Sequence, residues 1–184
     1  MLVVSTEAEL EEFLRNVIIP GETVIVGIGS ELRCDDGFGV YLARSLSNLL
    51  EKYSKRECVT VVDAGTVLES YLDVLNSNKV SILLDAIEAP IPPSEIALLG
   101  ENEISDHRVV LSTHTIDVSL LLNLVTSEIF VVGTRPQCLD IRLGVTKPVA
   151  QAIQRTIKAV ISVLENLGCI ETPLCVGVKH CREF

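Results

Sequence analysis

Asp35, Asp36, Asp85 and His114 are the side chains of this sequence whose types and placement could do chemistry together. The carboxylates of Asp36 and Asp85 with the imidazole of His114 suit a borderline divalent ion such as Ni²⁺ or Zn²⁺, and they leave coordination positions open for water or substrate. Each residue also has a plainer reading: Asp36 as a charge at a helix N-terminus, Asp85 as the cap of a turn, His114 as a solvated or helix-end histidine. Spacing alone does not choose between them. The local context of the first pair is more specific, because residues 23–39 read T-V-I-V-G-I-G-S-E-L-R-C-D-D-G-F-G. A β-branched run stops at Gly27-Ile28-Gly29, and a helical pattern begins after the acids. Loops that follow the carboxyl ends of strands are where open α/β sheets bind ligands. Two negative charges at a helix N-terminus would repel a phosphate and attract a metal ion or a cationic group. A dinucleotide loop would also need a third glycine where Leu32 stands.

The elements that must hold these residues follow from hydrophobic periodicity. Thr6 and Glu9 form a capping box ahead of a first helix with Leu10, Phe13, Leu14 and Val17 on one face. Strands are predicted over Thr23–Val26, Val59–Val62, Val80–Leu84 and Glu128–Val132, with an antiparallel return over Glu95–Leu99 after Pro92-Pro93. Helices are expected from Val40 to about Lys52, from Leu68 to Leu75, from Ile116 to Val125 with Thr113 as N-cap, and from Pro148 to Leu167. Residues 100–110 read as an irregular loop. Strands alternating with helices predict an α/β fold, a twisted, mostly parallel (mixed) sheet of about five strands sandwiched between helices. One domain is expected over 1–184, with a helical extension at 1–20, a core at 23–168 and a tail at 169–184. On this layout Asp36, Asp85 and His114 come from separate segments to one rim of the sheet.

Composition narrows the function further. A formal charge of −10 argues against nucleic acid or an anionic membrane as partner. The chain has no run long enough for a membrane span and no basic, then apolar, leader at its start, so a soluble cytoplasmic protein is expected. Six cysteines are scattered without a C-x-x-C pair, which predicts reduced thiols. Cys34 adjoins the acid pair, yet two neighbouring carboxylates disfavour a thiolate nucleophile there. H-E-x-x-H and G-x-S-x-G are both missing. Arg135 and Lys147 read as solvated charges that could also meet an acidic peptide end, and Cys175, His180 and Cys181 as compositional.

Five segments in order, 27–39, D-A-G-T (63–66), L-L-D-A (83–86), S-T-H (112–114) and G-V-T-K-P-V (144–149), resemble the hydrogenase maturation endopeptidases. Two positions depart from the usual pattern: Ser30 stands for Asn, and Ala64 for Gly. The resemblance implies an endopeptidase that removes a C-terminal peptide from the large-subunit precursor of a nickel-iron hydrogenase after nickel insertion. It implies Asp36, Asp85 and His114 as the metal-binding residues, with nickel brought by the precursor and another divalent ion allowed at rest. Asp35 and Asp63 are then supporting acids, and a monomer or weak oligomer is expected. Two alternatives stay open: a non-catalytic nickel-checking module for the same precursor, and a nucleotide-binding α/β protein.

Overall fold

The computed structural model describes residues 1–53, 58–105, 110–111 and 123–171. Among them, β1 (Leu2–Val4), α1 (Glu7–Val17), β2 (Thr23–Ile28) and α2 (Phe38–Leu50) come first, with a 3₁₀ turn over Cys34–Gly37 before α2. β3 (Val59–Gly65), a 3₁₀ turn (Leu68–Tyr71), α3 (Leu72–Asn76) and β4 (Val80–Glu88) follow. β5 (Ile96–Leu99), α4 (Glu101–Ser105), β6 (Val110–Leu111), β7 (Glu128–Thr134) and α5 (Lys147–Asn166) complete the described elements. The strands lie in the order β1-β5-β7-β4-β2-β3, and β6 pairs antiparallel with the end of β4. β3, β2, β4 and β7 are mutually parallel, and β5 runs antiparallel to β7. The mixed sheet between helices is the architecture that the periodicity predicts.

Two hydrophobic cores result, one on each face, because side chains alternate along a strand. Ile25, Ile82 and Leu84 face α1, α2 and α5, where they meet Leu14, Leu42, Leu46, Val160 and Val163. Val24, Val26, Leu83 and Ile87 face the opposite way, towards Leu68, Leu75 and Ile104. α1 belongs to the first core through Leu10, Leu14 and Val17, and its capping box forms as read from Thr6 and Glu9. Burying such a side chain contributes about 1.5–3 kcal/mol, so α1 is anchored by packing rather than by propensity.

Three expectations need correction. Residues 100–110 are not all loop, since α4 and the start of β6 lie there and Gly100 donates its N–H to Glu103. β1 was not foreseen, because three residues are too few for an alternation signal; Leu2 to Val4 pair with Leu98 to Ile96. The cysteines are not all reduced: Cys58 at the start of β3 and Cys169 after α5 form a disulfide, 111 positions apart in sequence. Nothing in their spacing reveals this, because only the packing of α5 over the sheet brings the two ends together. His114, the helix expected over Ile116–Val125 except for Asn123–Val125, and Cys175, His180 and Cys181 fall outside the described residues.

Gly39, in the first turn of α2, lies where a Cβ would be 2.0 Å from the Leu84 carbonyl oxygen and 2.4 Å from that of Ile28. The start of α2 therefore rests directly on the ends of β2 and β4. Gly39→Ala is expected to lower stability by about 1–3 kcal/mol or more, seen as a lower urea midpoint, because the clash is with backbone that cannot swing aside.

Candidate functional site

The crevice for a ligand is fixed by strand order. β2 connects through α2 to β3 on one side, whereas β4 lies on its other side, so the chain leaves the carboxyl ends of neighbouring strands in opposite directions. Such a switch point opens a cleft above the sheet. Register sets Gly27 between Asp63 and Leu84, which puts Asp85 at the level of Ile28, across from Gly133 of β7. By alternation Asp85 shares a face of β4 with Leu83 and Ile87. Its side chain is buried, at 1% exposure.

Asp36 reaches the same rim from the 3₁₀ turn, which packs against β4. It has no exposed surface, and its Oδ2 accepts the Ser30 backbone N–H at 3.0 Å. Ser30 thus contributes a main-chain donor, and that donor does not depend on the side chain at this position. Gly29 adopts φ +130°, and a Cβ there would stand 1.9 Å from the Asp36 carbonyl oxygen. The loop between β2 and the acids is consequently held against its own turn. Ala64 is unstrained, because the left-handed residue of the D-A-G-T turn is Gly65, at φ +53°.

Asp35 does something different from its neighbour. It too is fully buried, and its carboxylate accepts the N–H of Gln137 (2.8 Å), Cys138 (3.0 Å) and Thr146 (2.6 Å) and the Thr146 hydroxyl (2.9 Å). Its own N–H donates to the Cys138 carbonyl at 3.1 Å. The segment 137–146 is thereby clasped to the acid turn, and the G-x-T-x-P-V sequence acquires a physical reading. Gly144 takes φ +86° and donates to the Tyr41 hydroxyl, Thr146 binds Asp35, Pro148 opens α5, and Val149 is buried. Sequence reasoning treated Asp35 as a supporting charge and missed this clasp. The signal was present in Thr146, a polar residue ahead of a proline-led helix whose side chain does not cap that helix.

Asp63 accepts the Arg44 Nε at 2.6 Å and the Gly65 N–H at 3.0 Å, tying the end of β3 to α2, and Arg44 also pairs with Glu31. Cys34 is buried at φ +53° and receives the Arg142 Nε at 3.2 Å. Burial pushes its thiol above the ordinary range, with Cys138 and the Asp35 charge adding to the shift and Arg142 opposing it. That is the direction which suppresses a thiolate nucleophile. A cleft of about 330 Å³ between Ser47, Thr60 and Leu164 lies at the other end of the sheet, away from the acids.

Asp36, in a turn that packs against β4, and Asp85, near the carboxyl end of β4, lie on the same side of the sheet. Among the described residues, no three His, Cys, Asp or Glu side chains gather into a group that could hold a metal. The two acids would need a further donor, and His114 lies outside the described part. Two buried carboxylates are hard oxygen donors of the kind that suits a divalent cation.

The family comparison is decisive for the class. A family described as hydrogenase maturation protease matches residues 43–163, well over half of the chain and a span that includes Asp85 and His114 but not Asp36. The chain belongs to the hydrogenase maturation protease family. Among individual relatives, it is 29% identical over 154 residues to the coenzyme F420 hydrogenase subunit delta of Methanothermobacter thermautotrophicus, covering 80% of this chain and 95% of that one. It is 26% identical over 163 residues to the hydrogenase 2 maturation protease of Escherichia coli, covering 82% and 94%. Its fold is similar to the crystal structure of a [NiFe] hydrogenase maturation protease from Thermococcus kodakarensis, with TM-score 0.67, 23% identity and coverage of 86% and 99%. The described helices include none long and apolar enough to cross a membrane.

Asp35→Asn is expected to cost about 2–4 kcal/mol, since an amide oxygen replaces a charged acceptor and an N–H₂ is turned towards buried donors. Hydrogen exchange should show residues 137–146 losing protection before the sheet does.

Proposed function

We propose that this chain is the endopeptidase that removes the C-terminal extension from the precursor of a nickel-iron hydrogenase large subunit, and that it recognises the nickel that the precursor already holds. Asp36 and Asp85 are the acids that face that ion, and His114 completes the set. The observation that carries the reading is the pair of buried carboxylates at the switch point, on a chain of this family. A cation placed beside two buried carboxylates offsets the cost of holding both charges out of water. Site and metal are then matched without a resident cofactor.

In this reading the residues of the chain bind and orient. Asp36 is aimed by the Ser30 N–H, and Asp85 is fixed by its place in a strand that is buried along nearly its whole length. Contact with substrate-held nickel sets the scissile peptide at the rim, and the ion supplies Lewis acidity to its carbonyl or to a water. A precursor without nickel lacks that anchor. Cleavage after metal insertion follows from this requirement alone, in the cytoplasm where the precursor is assembled.

Mixing the purified protein with nickel-loaded and nickel-free precursor, then weighing the products, tests the reading. Shortening of the loaded precursor alone is expected. Binding without a change in mass would instead make the chain a nickel-checking module. Asp36→Asn, Asp85→Asn and His114→Ala should each reduce processing at least about 100-fold, a loss of roughly 2.7 kcal/mol in transition-state stabilisation, with circular dichroism unchanged. Cys34→Ser should process normally, and its failure would reopen a thiol mechanism.

A further inference from the structure

The clasp on Asp35 leaves one side of the 137–146 segment bound and the other turned to solvent. On the outer side Ile141 is 91% exposed, Leu143 70% and Leu139 42%. Leu32, 60% exposed, joins them, because Arg33 and Arg142 form a β-bridge and the Cys34 N–H donates to the Arg142 carbonyl at 2.9 Å. Of the ten large apolar side chains exposed among the described residues, four come from these two joined segments. Exposed leucines scattered singly mean little, whereas a cluster held on a fixed backbone marks an interaction surface.

We propose that this apolar platform is where the large-subunit precursor docks beside the acid rim, with Leu32, Leu139, Ile141 and Leu143 receiving an apolar face of the precursor and Arg135 and Arg142 pairing with its acidic margin. The proposal rests on the function given above and names how the partner is held. Three features fix the occupant. The platform is bonded directly to the turn that carries Asp36, so whatever sits on it is next to the site. Residues 134–147 hold three basic side chains against one acidic, a local charge of +2 in a chain of −10. A partner with apolar and acidic character is therefore attracted here and repelled elsewhere. The backbone of the platform is also ordered by folding, so docking loses less conformational entropy than a free loop would.

The test measures binding and turnover separately, with the purified nickel-loaded precursor from the same organism. Ile141→Ser/Leu143→Ser should weaken Kd for the precursor roughly 10–100-fold, leave the cleavage rate of bound precursor within about twofold and leave the unfolding midpoint unchanged. Ile19→Ser, exposed before the other end of β2, should bind as wild type does. Raising salt should weaken the wild type more than Arg135→Gln. Wild-type Kd in the double variant, or an equal loss with Ile19→Ser, would overturn the docking surface while leaving the protease reading intact. A wild-type chain that neither binds nor shortens the precursor would instead remove the functional reading itself.

Discussion

The Asp35 carboxylate has no exposed surface and accepts four hydrogen bonds from residues 102 to 111 positions away. A buried anion is tolerated only when its lone pairs are met by well-placed donors, and here a single segment supplies them all. That segment leads from β7 to α5, the longest described helix, whose apolar stripe covers the face of the sheet shared with α1 and α2. The acid turn, the loop before α5 and the main core are therefore one mechanical unit. Asp36, the next residue, inherits its position from this unit.

The second constraint is the close contact of α2 with the sheet. Cβ atoms added at Gly27 and Gly29 would meet the protein's own backbone, at Gly39 and Asp36. The glycines thus allow the helix and turn to come down onto β2 and β4. A site built in this way has little freedom of its own. Its acids are held by strand register, by a turn and by main-chain donors, which is the rigidity the proposed reading of a metal requires.

Charge is distributed to the same end. The chain is acidic overall, yet the loop beside the acids is basic and apolar, and the acids at the rim are buried rather than displayed. In the proposed function the buried carboxylates meet the cation, while the arginines and leucines of the neighbouring loop meet the protein that brings it. The Cys58–Cys169 disulfide lies at the opposite end of the sheet, beside the 330 Å³ cleft. It joins the start of β3 to the end of α5, and a loop of this length gives a cross-link its largest effect on the unfolded chain.

The sequence by itself determined the class of fold and picked out two acids of the proposed site. Apolar runs of four to nine residues that end in Gly or Asp could only be buried strands, and the stripes of α2 and α5 could only face them, because burial imposes a period on every element. Asp36 and Asp85 were legible as candidates because one follows such a run across a short loop and the other lies near the end of one, and chain direction in a parallel sheet sends all these ends to one rim. Short elements escaped: Leu2–Val4 and Val110–Leu111 are strands through their partners and not through any pattern of their own. Tertiary structure alone decided what Asp35 does, that Asp63 belongs to Arg44, and that Cys58 meets Cys169. Each of these depends on contacts between segments far apart in sequence, and no local periodicity records which distant donor a buried acid or thiol will find.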